Sequence, residues 1–444
     1  MRILFINSPI RLNAPPNCIP YGLGTISSLL RERNHEVSIY DVNALRPEPR
    51  ETEAFLRTKK WDIIGLSGLI TTYGYQKWIA GVIKEAQPDA FLVSGGGLAT
   101  SIPDMVMDRM PVDALVIGEG EITMDELASA LQSEEGLAGV KGLVWRDGNN
   151  VVSNKPRPNI ADLDSIPFPA WDLLPMDVYL KNPVWAPSAE NSSGFPEDVR
   201  ITRSMNIISS RGCPHNCNFC YHLFGRGKYR FRSAANIIEE VRILVRDYGV
   251  DFVGFVDDNF MASAKRAVEF CRMLEDEPYE ITWGCHGRVD SARPELLRTM
   301  RKAGCVWIGY GIESGSQKIL DAMEKKTTVK QAEEAVTATR DAGIFANTTF
   351  IYGYPGEDED TIRETLEFKA KLGIDVTSFF ATPYPRTPLF EKHVRHLVGD
   401  MEEFVLSLGN ATDFAINLTK FSDNEYHRFK AINDGLITSE HPEK

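Results

Sequence analysis

Residues 211–222 read RGCPHNCNFCYH and hold three of the chain's seven cysteines, Cys213, Cys217 and Cys220. A loop this rich in thiols serves either disulfides or a metal. Seven is an odd count, and the remaining Cys18, Cys271, Cys285 and Cys305 are scattered. The opening MRILFINSPI has one positive charge and a short apolar run followed by polar sequence, which fits a buried first strand and not a signal peptide. A cytoplasmic setting is therefore expected, disulfides account poorly for the loop, and a metal site accounts for it better. Three thiolates can hold three corners of a cubane iron–sulfur cluster. The fourth iron then stays open to an outside ligand, as an open position does on a catalytic zinc. The plain alternative is a structural zinc.

Outward from the loop, the chain keeps a strand–helix rhythm. MNIISS (205–210), DFVGFVDD (251–258), EITWGCHGR (280–288), CVWIGYGIE (305–313), FANTTFIYG (345–353) and DVTSFFATP (375–383) have the composition of strands, with helical patterns between them. Six such units predict a partial (β/α) barrel over 201–392, whose chemistry belongs at the C-terminal strand ends. The cysteines follow its first strand. In the first 135 residues, RILFIN (2–7), EVSIY (36–40), DIIGLS (62–67), FLVSGGG (91–97) and DALVIGEGE (113–121) alternate with helices, for example over 24–33 and 75–86. Continuous apolar strands alternating with helices predict a doubly wound parallel sheet, so the fold class is α/β throughout. Residues 136–200 are rich in proline and polar residues and are expected to be linker, and 393–444 a small cap or tail. Across all 444 residues the net charge is −13, which argues against a large nucleic-acid footprint. No run is apolar for long enough to span a membrane.

The CxxxCxxC spacing, with Phe219 before the last cysteine, resembles the signature of the radical S-adenosylmethionine superfamily. The resemblance implies a [4Fe–4S] cluster on Cys213, Cys217 and Cys220, with S-adenosylmethionine bound through its amino and carboxylate groups to the open iron. One electron then releases a 5′-deoxyadenosyl radical that abstracts hydrogen from an unactivated C–H bond. FVDDNF (255–260) ends the second barrel strand, where the family places polar contacts to the methionyl group, here Asp257 and Asn259; both residue types also suit a helix N-cap. Arg288 in GRVD (287–290) matches a partner for the cofactor carboxylate, which guanidinium meets bidentately, with a surface salt bridge as the alternative. GYGIESGSQ (309–317) places Glu313 to accept from ribose hydroxyls or the methionyl amine, with Ser314 beside it; a carboxylate there is costly to bury unpaired. YGYPGED (352–358), with Gly353 and Pro355, resembles the family's turn near adenine, which Phe219 is expected to cover as well. PYPRTPLF (383–390) resembles a stretch that often runs Pro-Gly-Thr-Pro; Arg386 replaces the glycine, a difference expected to report on substrate charge.

The first half then resembles the cobalamin-binding domain fused to one branch of this superfamily, through PYGLGTISSLLRERNHEV (20–37), WDIIGLSGLITT (61–72), FLVSGGGLAT (91–100) and VIGEGE (116–121). That resemblance puts Ser8, Pro9, Tyr21, Gly22, Leu23, Ser67, Gly68, Gly95, Gly96, Gly97, Glu119 and Gly120 around cobalamin. Several end strands of a sheet type that binds ligands at its carboxyl edge. The Asp-x-His-x-x-Gly motif by which many cobalamin proteins ligate cobalt from below is missing. The only histidine in the first 200 residues is His35, before the second strand. Such a lower face is empty, water-bound or held by another side chain, which suits radical chemistry over polar methyl transfer. The competing reading is a sheet that has kept the fold and lost the cofactor.

The leading expectation is a cobalamin-dependent enzyme that methylates an unactivated carbon of a small-molecule substrate, reduced by an external donor such as flavodoxin or ferredoxin. A second keeps the architecture for cyclisation, rearrangement or oxidative C–H chemistry without methyl transfer, and a third is a carrier or sensor with an inactive barrel. A radical methylthiotransferase acting on transfer RNA is set aside, because only Cys18 lies in the first half and no basic C-terminal module follows. The 180–200 stretch is expected to line the substrate entrance, with Trp185 and Phe195 either packing a hydrophobic substrate or, as aromatics in a linker more often do, packing on the neighbouring domain. His215 and His222 flank the loop, and Tyr310, Tyr352, Tyr354 and Tyr384 are expected near strand ends facing the active site.

Overall fold

The computed structural model describes residues 1–12, 14–133, 136–182, 196, 199–374, 378–409 and 415–433. Trp185 and Phe195 lie outside these. Two compact units emerge, Met1–Asn182 with Gly399–Ser407, and Pro183–Val398 with Leu408–Lys444.

The first unit is built on a sheet of β1 (Arg2–Asn7), β2 (Glu36–Asp41), β3 (Ile63–Ser67), β4 (Phe91–Gly95), β5 (Ala114–Val116), β6 (Leu143–Asp147) and β7 (Asn150–Ser153). The order is β2-β1-β3-β4-β5-β6-β7, parallel through β5. Parallel strands need both faces covered, which explains why Ile3, Leu4, Ile6, Ile63, Ile64 and Leu92 are wholly buried. The order reverses between β1 and β3, the crevice where open α/β sheets bind ligands. Register sets Asn7 beside Asp41 and Ser67, and Ser67 beside Gly95, in one row along the carboxyl edge.

The stretch expected as linker corrects that expectation in part. The hairpin β6–β7 pairs antiparallel with β5, turning through Gly148 at φ +58°. Beyond it, the chain to Asn182 stays packed on this unit. Ile160 donates its N–H to the Glu119 carboxylate at 2.6 Å, Trp171 meets Tyr21 edge-on, and the Tyr179 hydroxyl donates to Asp41 at 2.6 Å. Proline and polar composition marked irregular backbone, not detachment from a core.

The second unit is a six-stranded parallel sheet in chain order: β8 (Ser204–Ile207), then β11 (Phe252–Phe255), β12 (Thr282–Gly287), β13 (Cys305–Glu313), β14 (Phe345–Tyr352) and β15 (Phe379–Phe380). Between β8 and β11 a short antiparallel pair, β9 (Ser210–Arg211) and β10 (Arg230–Phe231), closes the base of the cysteine loop. Sequential parallel strands with helices between them form a partial barrel. The helices are delimited locally: Ser233 caps the first by accepting from the Asn236 N–H, and Gly249 ends it at φ +61°. On β14, Ala346, Thr348, Phe350 and Tyr352 are buried while Phe345, Asn347, Thr349 and Ile351 are half-buried. Phe350 packs on Phe368 of the helix Glu359–Leu372, so the half-buried set faces the barrel interior. Among the described residues no helix is long and apolar enough to cross a membrane.

Candidate active site

The cysteine loop is pinned at several backbone points. Asn218 donates its N–H to the Met323 carbonyl at 2.9 Å and accepts from the Leu389 N–H at 3.1 Å. The Arg226 guanidinium donates to the carbonyls of Asn216 and Cys217. Cys217 is buried, and Cys213 and Cys220 are half-buried. Burial raises the Cys213 thiol, and burial with the charges of Asp258 and its fellow cysteines pushes Cys220 up to about 12. Thiols held protonated this way release protons when iron binds. No three His, Cys, Asp or Glu side chains among the described residues converge closely enough to hold one metal ion.

A chain of side chains runs away from Cys217. Arg288, 7% exposed, donates to Cys217 Sγ at 3.6 Å and to the Lys325 carbonyl at 2.7 Å. Its other edge meets both oxygens of Asp290 at 3.2 Å. The surface salt bridge is thereby corrected in one respect: Arg288 is buried, and its bidentate edge already pairs with the Asp290 carboxylate. Lys325 Nζ lies 3.1 Å from Glu313 Oε1 and 5.8 Å from the centre of the Phe219 ring. Glu313 is buried, and this lysine offsets the cost of burying its charge. Its φ of +72° is left-handed, an unusual conformation for a non-glycine residue and one held here by the surroundings. Lys325 was not singled out from sequence; it sits in a polar run, MEKKTT (323–328), that looks like solvated surface.

The residues of FVDDNF divide. Asp257 accepts from the Ser209 N–H at 2.7 Å and the Ser210 N–H at 3.1 Å, with Arg266 3.6 Å away, so it anchors the approach to the cysteine loop. Asn259 is fully buried, and both atoms of its amide lack a partner. It begins the short turn Phe260–Ala262 without capping it through its side chain, so the cap reading fails there. Asp258, which sequence reasoning passed over, is pushed up to about 6 by desolvation and the Asp257 charge.

Other expected residues make contacts within the fold. Ser314 Oγ is 3.1 Å from Thr365 Oγ1 and accepts from the Ser316 N–H. Gly353 stands at φ +84°, where an added Cβ would lie 2.6 Å from the Tyr426 hydroxyl, and its N–H donates to Glu357 at 2.7 Å. Half-buried Pro355 lies in that turn. Tyr310 corrects the expectation of facing the active site: its hydroxyl is 2.9 Å from Thr339 Oγ1 on the helix Val329–Asp341. Tyr352 shares the helix-facing side of β14, and Tyr354 donates to the Ala322 carbonyl at 3.2 Å. Burial lowers the pKa of both His215 and His222. Arg386 is exposed at φ +71°, a conformation glycine adopts without strain, so its place in a glycine position bears on backbone strain before substrate charge.

At the carboxyl edge of the first unit, Ser8 is fully buried with its hydroxyl unpartnered, and its N–H donates to the Ser67 carbonyl at 3.3 Å. Pro9 follows, half-buried. Gly96, at φ +79°, brings its backbone within 3.1 Å of the Gly68 carbonyl, measured from where a Cβ would stand, and Gly97 and Gly95 flank it. Gly22 has open space around it. Tyr21, Leu23, Glu119 and Gly120 are committed to packing: Leu23 in the core, Gly120 against Ile26, Tyr21 on Trp171 and Glu119 on Ile160. An orphaned hydroxyl beside a side-chain-free backbone at the switch point fits a bulky polar ligand. His35 does not reach this edge; its Nδ1 lies 3.3 Å from the Met1 amino group, at the opposite ends of the strands.

Residues 207–368 match the model of the radical SAM superfamily, and residues 7–128 that of the B12 binding domain. An uncharacterised methyltransferase of Pyrococcus horikoshii is 34% identical over 84% of this chain and 78% of its own. An anaerobic magnesium-protoporphyrin IX monomethyl ester cyclase of Cereibacter sphaeroides is 32% identical over 76% of this chain and 54% of its own. The fold is that of the radical S-adenosylmethionine methyltransferase TsrM of Kitasatospora setae, solved with cobalamin and a [4Fe–4S] cluster, at a TM-score of 0.72 and 19% identity over 90% of this chain and 75% of that one. The cofactors are accordingly a [4Fe–4S] cluster, S-adenosylmethionine and cobalamin. The chain belongs to the branch of the radical S-adenosylmethionine superfamily that carries a B12-binding domain.

Proposed function

We propose that this enzyme transfers a methyl group to an unactivated carbon of a small molecule. The observation that carries the reading is the position of His35, which ties up the N-terminal strand ends and leaves the carboxyl edge of the first sheet without a histidine among its described residues. A corrinoid seated at that edge would meet no imidazole from the described residues there and would supply a methyl group to a substrate radical. When bound, the cluster with S-adenosylmethionine supplies a one-electron route to a substrate radical, and cobalamin supplies the methyl group.

The chain's own residues then have defined work. Cys213, Cys217 and Cys220 hold the iron. Arg288 directs an N–H at the Cys217 sulfur and, through the Lys325 carbonyl, fixes the lysine that orients Glu313. Asn259 offers a buried donor and acceptor to the methionyl group, and Phe219 covers the adenine beside the Gly353–Pro355 turn. Ser8, Ser67, Gly68, Gly95, Gly96 and Gly97 form the bed for cobalamin, with Gly22 leaving room. The reductant is an external one-electron donor.

The cyclase relative favours a second reading, in which the same residues start a ring-forming or oxidative step with no methyl transferred. Anaerobic reconstitution with iron, sulfide and hydroxocobalamin, followed by desalting and metal analysis, tests the first. About four irons and about one cobalt per chain are expected, and methyl-labelled S-adenosylmethionine then places label in the product. Iron without cobalt sinks the methylation reading and leaves the second.

A further inference from the structure

Residues 415–433 fall in the stretch that composition marks as a small cap or tail, and they are organised by their own side chains. The Asn417 amide donates to the Phe421 carbonyl and the Asp423 carboxylate, both at 2.8 Å, and accepts from the Thr419 N–H at 3.0 Å. Ser422 and Glu425 cap the helix Asp423–Asn433 reciprocally: the Ser422 N–H donates to Glu425 at 2.8 Å, and Ser422 Oγ accepts from the Glu425 N–H at 3.3 Å. The Phe421 and Phe429 rings meet at 4.9 Å. Along that helix Tyr426 is buried while Asn424, Glu425, His427 and Arg428 are exposed. Tyr426 stands where a side chain on Gly353 would stand, its hydroxyl 2.6 Å from the place of a Cβ there, and its ring lies 5.5 Å from that of Phe380 on β15. Leu418 packs on the buried cluster of Ile319, Met323, Tyr354, Ala381 and Leu389. Phe219, between Cys217 and Cys220, and Ile351, on the interior-facing side of β14, pack on the same cluster, and all three remain half-buried. Stretches far apart in the chain thus bring apolar groups to one rim beside the Gly353–Pro355 turn.

We infer that residues 415–433 form a strap over the adenine end of S-adenosylmethionine, with Leu418 as a binding residue for the ring and Tyr426 as the strap's anchor on the turn. The inference rests on the proposed function, which sets Phe219 and the Gly353–Pro355 turn at adenine. It goes further by adding a third wall and by coupling that wall to occupancy. Phe219, Ile351 and Leu418 keep part of their apolar surface in water. A flat ring with apolar faces removes that surface from water, which is favourable in proportion to the area covered. The methionyl end needs polar partners instead, and Asn259 offers them elsewhere. An element that is capped by its own residues and fastened through apolar side chains opens and recloses as a unit. Closure gains the contact with the ring, so ligand and strap stabilise each other, and opening lets the spent nucleoside leave.

The test uses the full enzyme, reconstituted with iron and sulfide, and S-adenosylhomocysteine, which keeps the adenosyl and amino-acid ends but has no sulfonium to cleave. In the wild type, saturating S-adenosylhomocysteine is expected to slow amide hydrogen exchange about tenfold in peptides covering 417–429, read by mass spectrometry. Leu418→Ser is expected to weaken binding of the same ligand about tenfold in equilibrium dialysis, and Leu418→Met to bind as the wild type does. At saturation Leu418→Ser is expected to keep both the iron content and the ligand-shifted paramagnetic resonance spectrum of the reduced cluster. Unchanged exchange over 417–429 in a wild type that binds the ligand, or wild-type affinity in Leu418→Ser, overturns the strap. Loss of iron or of that spectrum in Leu418→Ser overturns it as well, because the leucine then supports the cysteine loop and not the ring. A wild type whose cluster spectrum does not respond to the ligand marks instead the collapse of the underlying reading, and this one falls with it.

Discussion

Asn259 is the residue whose chemistry is least accounted for by the protein alone. A fully buried amide with neither donor nor acceptor matched costs about 1–3 kcal/mol. If that cost is kept for a ligand, removing the amide has opposite effects with and without it. Asn259→Leu is expected to raise the unfolding free energy of the ligand-free protein by about 1–3 kcal/mol and to weaken S-adenosylmethionine binding. Calorimetric melting paired with equilibrium dialysis reads both, and a loss of stability without ligand rules the idea out. Cys217 makes the complementary case. It is a buried ligand with Arg288 aimed at its sulfur, so Cys217→Ala is expected to leave the far-UV circular dichroism unchanged while iron per chain and S-adenosylmethionine cleavage collapse. Retained iron and cleavage in that variant would remove the loop from the active site.

At the scale of elements, the turn after β14 is where packing sets a protonation state. Burial pushes the Glu357 carboxyl up to about 8, although the backbone N–H groups of Gly353 and Tyr354 favour its charged form. Its folded value lies above the ordinary 4.5, so between these values the folded chain keeps a proton that the unfolded chain releases. The sign follows: this group's contribution is full below about 4.5 and is lost as pH rises through about 8. Glu357→Gln is expected to shrink the drop in melting temperature between about pH 6 and about pH 9, most of the gain appearing at the alkaline end. An unchanged slope would show that the carboxyl is ionised in the fold. The barrel wall carries a second packing constraint. Gly309 faces Trp307 so closely that a Cβ would lie 2.4 Å from the indole, and the same Cβ would lie 2.6 Å from His286. Glycine on this interior face leaves space that a side chain fills in an ordinary barrel.

For the whole molecule, the telling feature is that Gly399–Ser407, late in the chain, belongs to the first unit. The helix Met401–Ser407 buries Val405 there, and Glu402 accepts from the Tyr73 hydroxyl at 2.6 Å with Lys77 beside it. Burial and then the Glu402 carboxylate raise the Tyr73 phenol, while Lys77 and that phenol hold the Glu402 carboxyl below its ordinary value. Glu402→Ala is expected to lower the unfolding free energy of the first unit by about 1 kcal/mol, since the phenol loses its acceptor. Differential scanning calorimetry on the full chain reads this, and a melt identical to wild type would mean that the contact contributes nothing.

The amino-acid sequence by itself determined the fold class, the number of parallel strands in each unit, and the identity of the cysteine loop. These follow from short-range facts: apolar periodicity, glycines at strand ends and the spacing of thiols along one loop. The tertiary structure alone decided what depends on contacts between residues far apart in the chain. Lys325 becomes the partner of Glu313 only because a polar turn folds back over β13, and Tyr310 faces a helix because of its register on that strand. β6 and β7 join the first sheet because β5 offers an edge, which composition could not reveal. His35 is spent on Met1 because two strand ends lie side by side. Local sequence sets which elements form and roughly where; burial, pairing and the direction of a side chain are set by what the rest of the chain brings against it.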